Sequence, residues 1–402
     1  MNKINKDWKE VKLGDIVDIT MGQSPKSEFY NKRNEGMPFL QGSATFGFMH
    51  PYFETYSSDI KKIAVNGSIL MSVRAPVGDL NMANTDICIG RGLCSINGKN
   101  KSLNRYIFYL LNYYKSKIVN IQTGTVFGAI SKDNILNFKV SIPQSEKEQK
   151  RIASILSALD DKIELNNKTN KILEEMAQTI FKEWFINFNF PNEDGKPYKK
   201  SGGEMIDSEL GKIPKGWKVI TLKDIISIAK GKKPNATSDK ITEKFTMPYL
   251  TINCYNNEAT EYTEYNEKMH VKELDIVMVM DGNAGKIFYG KEGILSSTMA
   301  KLIVEDSNLN ELVFYFLKSI EYDLMYHTVG SVIQHADKQY MLNKKFCVSL
   351  DNLERLSDIF KCIRKEISLN KKENEKLSNI RDSLLPKLMT PKGRRADGEI
   401  RV

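Results

Sequence analysis

The chain's 402 residues exceed what one ordinary core organises, so two or more domains are expected, and 41% hydrophobic with 27% charged residues is the balance of a soluble globular protein. Apolar runs such as Ile276 to Met280 are only strand-length and the opening MNKINKDWKE lacks an apolar core, which argues against a membrane span and a secretory signal and predicts a cytoplasmic protein. The net charge of +9 suits a polyanionic partner such as nucleic acid or anionic lipid.

Residues 1–147 read as an α/β domain. Short β-branched runs alternate with Gly, Asn and Pro turns. The opening WKEVKLGDIVDITMGQSP is followed by the strand MPFL, then by SILMSVRAPVG ending at Gly78, and by an amphipathic stretch from Asn104 to Val119. Residues 148–190 then form a long helix. Its positions Ile152, Leu156, Leu159, Ile163, Asn166, Asn170, Leu173, Ala177, Ile180 and Trp184 alternate steps of four and three, the heptad stripe of one helix packed along another.

A polar connector, Pro191 to Gly216, opens the next segment, residues 191–352, and the chain then repeats itself. WKVITLKDIISIAKGKKP starts at Trp217, 209 positions after Trp8. Leu13, Asp15, Ile16, Gly22 and Pro25 align with Leu222, Asp224, Ile225, Gly231 and Pro234. Met37-Pro38 answers Met247-Pro248, and the strand ending in Gly78 answers DIVMVMDGNAG ending in Gly285. The helical stretch Leu309 to Tyr326 and the pair Gly330-Ser331 answer Asn104 to Val119 and Gly124-Thr125. Gly22 and Gly231, Gly78 and Gly285, and Gly124 and Gly330 read as turn glycines.

The last segment, residues 353–402, is a second long helix with a tail. Displacing the first stripe by 204 positions gives Leu356, Phe360, Ile363, Ile367, Asn370, Asn374, Leu377, Arg381, Leu384 and Leu388, with only Arg381 out of character. Both stripes break their apolar run at the same two places. Amides there cost stability but fix register, because sliding would bury them unpaired. An antiparallel pairing would set Asn166 against Asn374 and Asn170 against Asn370, and it follows if a two-fold axis relates the halves. The fold class expected is therefore α/β: two similar α/β domains separated by a pair of long antiparallel coiled-coil helices, an internal pseudo-two-fold repeat.

The sequence offers no catalytic constellation and no metal site. Five scattered cysteines (Cys88, Cys94, Cys254, Cys347, Cys362) include no CxxC pair and read as buried free thiols, and four dispersed histidines have no metal-ligand spacing. No Gly-rich cofactor loop or Asn/Asp-Pro-Pro-aromatic motif is present, and Gly282 to Ile287 lacks the phosphate-loop spacing.

Four stretches resemble the DNA specificity (S) subunits of type I restriction-modification systems: Gly124 to Leu156, Trp184 to Trp217, the repeated WKxxxLxDI openings, and LLPKLM at Leu384 to Met389 with the terminal GEIRV. Two features depart from the family pattern, SLDNLERLSDIF leading into the second helix and the basic run Thr390 to Asp397. The resemblance implies a non-catalytic subunit with two target-recognition domains, 1–147 and the second within 191–352, each reading one half of a bipartite, asymmetric site. The helices would set the gap between half-sites and dock two modification subunits, with restriction subunits joining the full complex. S-adenosylmethionine, ATP and Mg²⁺ would serve those other subunits, and no cofactor is expected on this chain. The rival readings are a detached recognition portion of a fused restriction-methylation enzyme, or a coiled-coil scaffold that does not touch DNA.

Base edges are read by bidentate or amide side chains, while lysines and hydroxyls hold phosphates, and loops after strands carry both. The candidates in the first domain are Gln23, Ser24 and Lys26, then Gln41 and Ser43 with Thr45 beside them, then Arg74, Arg91, Thr123 and Thr125. In the second they are Lys230, Lys232, Lys233, Thr251, Asn253, Asn256, Asn283, Lys286, Ser331, Gln334 and His335, with Asp281 adjacent. Equivalent loops with different residues, such as Arg74 against Asp281, are what readers of different half-sites require. Phe127, Tyr30 and Phe46 read as packing residues.

Overall fold

A computed structural model of the chain describes residues 7–121, 128–255, 260–330, 334–349 and 353–391. Two compact units emerge: residues 1–168 with 371–402, and residues 169–370. Each long helix contributes a segment to each unit.

In the first unit the alternating WKEVK forms the strand Trp8–Lys12, which pairs antiparallel with Lys139–Pro143, the strand leading into the first long helix. Val17–Met21 begins a four-stranded antiparallel sheet in the order Val17–Met21, Leu93–Gly98, Ile69–Ser72, Leu80–Met82. The central strand Ile69–Ser72 is buried along its whole length because both sheet faces are covered. Ile69, Met71 and Ile96 pack with Tyr106, Tyr109 and Leu110 of helix Asn104–Val119 on one face. Leu70 and Leu93 pack with Leu40, Ile87 and Ile89 on the other. A second sheet carries Met37–Leu40, parallel to Ile87–Ile89.

The second unit repeats this plan. Lys218–Thr221 pairs with Lys345–Val348. The four-stranded order is Ile226–Lys230, Met299–Val304, Ile276–Val279, Ile287–Tyr289, and Met247–Leu250 lies parallel to Gly293–Leu295. Two local features differ from the sequence expectation. The stretch Leu309 to Tyr326 is broken at Ile320 into Asn310–Ser319 and Glu321–Tyr326, and Glu321 Oε1 accepts the Ile287 amide at 2.7 Å. The connector, read from the sequence only as polar, packs through aromatic residues at its ends. Phe190 stacks between Tyr198 and Trp217, with centroids 4.7 and 4.8 Å away, and a hairpin pairs Met205–Ser208 with Gly211–Pro214.

The long helices are Glu146–Phe181, extended by a π-turn over Lys182–Ile186, and Leu353–Leu388. In the first unit Ile152 and Leu156 share a core with Leu384, Leu385 and Leu388, so the start of one helix lies along the end of the other. There Asn166 Nδ2 donates to Asn374 Oδ1 at 2.8 Å and to Glu373 Oε2 at 2.8 Å. In the second unit Ala177 and Phe181 join Phe360, Ile363 and Ile367, and Asn370 Nδ2 donates to Asn170 Oδ1 at 2.9 Å. The paired segments are antiparallel in each unit, and the equivalent residues Asn166 and Asn370 are the donors.

Arg381, the misfit in the stripe, has a reason that the heptad did not reveal. Its Nη1 lies 2.8 Å from Oδ1 of Asp160, which is 1% exposed and whose Oδ2 accepts from Tyr109 Oη at 2.6 Å. Burial, reinforced by the neighbouring Asp160 charge, drives the Tyr109 pKa well above the ordinary tyrosine range. Among the cysteines, Cys88, Cys94, Cys254 and Cys347 are buried, and burial raises the Cys94 thiol to about 12. Cys362 corrects the expectation of five buried thiols, being exposed on the outer face of the second long helix.

Candidate nucleic-acid interface

In the α/β domain of the first unit, the first head, backbone hydrogen bonds tie the candidate loops together at one end of the four-stranded sheet; the α/β domain of the second unit is the second head. Gly22 N donates to Leu93 O at 2.9 Å and Gln23 N to Ile89 O at 2.9 Å. Gly92 N reaches Gln41 O at 3.1 Å, Val73 N reaches Gly92 O at 2.8 Å, and Ile130 N reaches Val73 O at 3.1 Å. Gly22 is required here by contact, since a Cβ on it would sit 2.1 Å from Gly90 O. Its counterpart Gly231 would clash equally, 2.1 Å from Ser296 O.

On this frame Ser24 Oγ donates to Gln41 Oε1 at 2.8 Å and accepts from Arg91 N at 3.2 Å. Among the described residues Gln41 is held through its Oε1, and no hydrogen bond engages its amide Nε2. Gln23, Lys26, Arg74 and Arg91 are exposed. Lys26 lies 3.7 Å from Glu28, an exposed pair that water screens. Ser43 is half-buried and donates to Asp79 Oδ2 at 3.2 Å, while Asp79 Oδ1 holds Lys115 at 2.9 Å. Asp79 was missed in the sequence; its place directly after Gly78, matching Lys286 after Gly285, was the available signal. Thr123 and Thr125 lie outside the described residues. Tyr30 is half-buried and packs on Phe39 with centroids 4.7 Å apart, and Phe46 packs against the Leu40 cluster.

The second head builds the same frame. Gly231 N donates to Met299 O at 3.0 Å, Met280 N to Thr298 O at 2.8 Å, Ala336 N to Met280 O at 2.8 Å and Gly282 N to Gln334 O at 3.0 Å. Here Asp281 collects two cationic or imidazole partners, His335 Nδ1 at 2.7 Å and Lys230 Nζ at 3.4 Å. Burial acts to raise the Asp281 pKa, but the His335 hydrogen bond and the Lys230 charge outweigh it and hold the carboxyl below its usual range.

Lys232 and Lys233 are exposed and line a cleft of about 290 Å³ with Thr263, Glu264, Tyr265 and Lys268. Asn253, Asn283 and Gln334 are exposed as well. Two candidates are engaged internally. Thr251 Oγ1 accepts the Cys254 amide at 3.4 Å, capping the short helix Ile252–Tyr255, and Lys286 lies over the Phe288 ring, 5.3 Å from its centroid. Asn256 and Ser331 lie outside the described residues. Among the described residues no cluster of His, Cys, Asp and Glu is arranged to hold a metal, and no helix is long and apolar enough to cross a membrane.

The family described as the type I restriction modification DNA specificity domain matches the chain twice, over residues 5–175 and 214–379. The MjaX protein of Methanocaldococcus jannaschii, assigned provisionally as a type I restriction enzyme specificity subunit, is 44% identical over 183 residues, 45% of this chain and 43% of that one. The MjaIX specificity subunit of the same organism is 26% identical over 437 aligned positions, covering 100% of this chain and 95% of its own length. The aligned stretch thus spans less than half of the first relative and nearly all of the second. The crystal structure of a type I restriction-modification S subunit from M. genitalium matches with a TM-score of 0.61 at 16% identity, over 97% of this chain and 98% of that one, a likeness of fold.

Proposed function

The chain belongs to the family of type I restriction-modification specificity subunits, and from that membership we propose that its two heads each read one half of a bipartite, asymmetric DNA site. The observation that carries this reading is the duplicated loop frame. Equivalent backbone hydrogen bonds recur in both heads, while the exposed side chains that the frame presents differ. A folding requirement alone would explain the shared frame but not the changed chemistry.

In this reading the first head offers donors, Gln41 Nε2, Arg74 and Arg91, to acceptors on base edges in the major groove. The lysines Lys26, Lys230, Lys232 and Lys233 hold phosphates and set orientation without carrying sequence information. The paired helices act as a spacer that fixes the gap between half-sites, with the amide pairs setting their register. Their outer faces dock the modification subunits. In the first unit Leu165 and Ile380 are 58% and 46% exposed, and in the second Leu369 and Met176 are 51% and 48% exposed. Leu369 is the repeat equivalent of Leu165, and Ile380 of Met176, so two copies of one partner would meet equivalent apolar positions.

Mapping of methylated bases in cells that carry this chain with its cognate modification subunit tests the proposal. One bipartite motif with a fixed gap is expected. Purified alone, the chain should bind duplex with an affinity that falls steeply as salt rises. Methylation or cleavage by the isolated chain, or binding indifferent to salt, would contradict it.

A further inference from the structure

Within the proposed reading, we infer that the bridged pairs Arg74–Ala129 in the first head and Asp281–His335 in the second stand at equivalent points of the two frames and that each presents one reader of a base pair, Arg74 taking a guanine and His335, held by Asp281, reading in the other half. The backbone makes the two points the same. Arg74 is bridged antiparallel to Ala129, and Asp281 to His335. The residue before each receives an inner hydrogen bond, from Ile130 N to Val73 O at 3.1 Å and from Ala336 N to Met280 O at 2.8 Å. The glycine after each closes the same turn, Gly78 N to Ser72 O and Gly285 N to Val279 O, both at 2.9 Å.

The side chains mounted there invert. Arg74 stands where Asp281 does, Ala129 where His335 does, and Met21 where Lys230 does. Arg74 and His335 are exposed and Ala129 and Asp281 half-buried, so packing does not account for the inversion at these two points, whereas Met21 packs against the edge of the first core. In the first head Arg74 is exposed, and no carboxylate among the described residues lies within ion-pair distance of it. Asp79, the acid that follows the turn, is taken up by Ser43 and Lys115. A guanidinium left facing outward presents a two-pronged donor that matches O6 and N7 of guanine.

In the second head an ionised Asp281 can only accept, so His335 Nδ1 is the donor in their contact. His335 keeps half of its side chain exposed, at 51%, and Nε2 is the atom left to meet a base edge. Asp281 is thus a positioning residue for His335, not itself a reader.

The test uses the full-length chain with its modification subunit, and maps methylated motifs for the wild type, Arg74→Ala, Arg74→Lys, Asp281→Asn and His335→Ala. In the wild type a bipartite motif is expected. Arg74→Ala should lose roughly ten- to hundredfold of the preference for guanine at one position in one half-site, Arg74→Lys should lose less because its ammonium still donates to O6 or N7, and both should leave the other half unchanged. Asp281→Asn and His335→Ala should relax a position in the opposite half only. Thermal unfolding midpoints matching the wild type would show that all four fold. If Arg74→Ala keeps the wild-type motif while only the overall level of methylation falls, the contact is to phosphate and the inference fails. It fails likewise if the Arg74 variants weaken methylation uniformly or leave the motif unaltered. A wild type with no bipartite motif would remove the specificity reading itself, and this inference with it.

Discussion

Arg381 shows how a residue that spoils a pattern can complete an interaction. A leucine there would perfect the heptad, and pattern alone would expect Arg381→Leu to stabilise the helix pair. The structure reverses that sign. Asp160 is 1% exposed and would keep only Tyr109 as a partner, leaving a buried carboxylate uncompensated. Arg381→Leu should therefore lower unfolding free energy by about 3–5 kcal/mol, read from chemical denaturation. An equal or raised midpoint would show that the pair is dispensable. Replacing both partners with apolar residues should recover most of the loss, because the penalty belongs to the stranded charge.

For the long helices, the element-scale question is what holds them in register. Leucines and isoleucines on a heptad stripe are nearly indifferent to a slide of seven residues, whereas amides are not. Asn370 is 8% exposed and donates to Asn170, so Asn370→Ala alone should cost about 1–3 kcal/mol by leaving its partner without a donor. The double substitution Asn170→Leu with Asn370→Leu should melt at or above the wild-type temperature, since both polar groups are then gone. If the single and double variants lose the same stability, the pair contributes packing rather than register. The outer face makes a separate prediction. Leu165→Ser with Ile380→Ser should weaken co-purification with the modification subunit while leaving the melting temperature within a degree or two, because these side chains are already largely in water.

At the scale of the whole molecule, the proposed spacer converts helix length into DNA length. Inserting one heptad at matched positions in both long helices keeps the seam in phase and adds about 10 Å, or about three base pairs. The methylated motif should then keep both half-sites and widen only its gap. An unchanged gap in a folded, methylating variant would remove the helices from that role.

How much of this was legible beforehand depends on how local the cause is. The repeat, the α/β class and the long helices follow from periodicity, because hydrophobic spacing and a 204-position displacement are properties of sequence order, and the antiparallel amide pairing follows once a two-fold axis is taken to relate the halves. The candidate loops were visible as turns beside strands. What only the tertiary structure decided are interactions across large sequence separations: Asp160 with Tyr109 and Arg381, Asp281 with Lys230 and His335, and Ser24 with Gln41. The same holds for the packing of a connector whose polar middle hid the aromatic stack at its ends. Burial and pairing are set by which distant segments meet, and no spacing rule along one chain encodes which polar side chain will be buried against which.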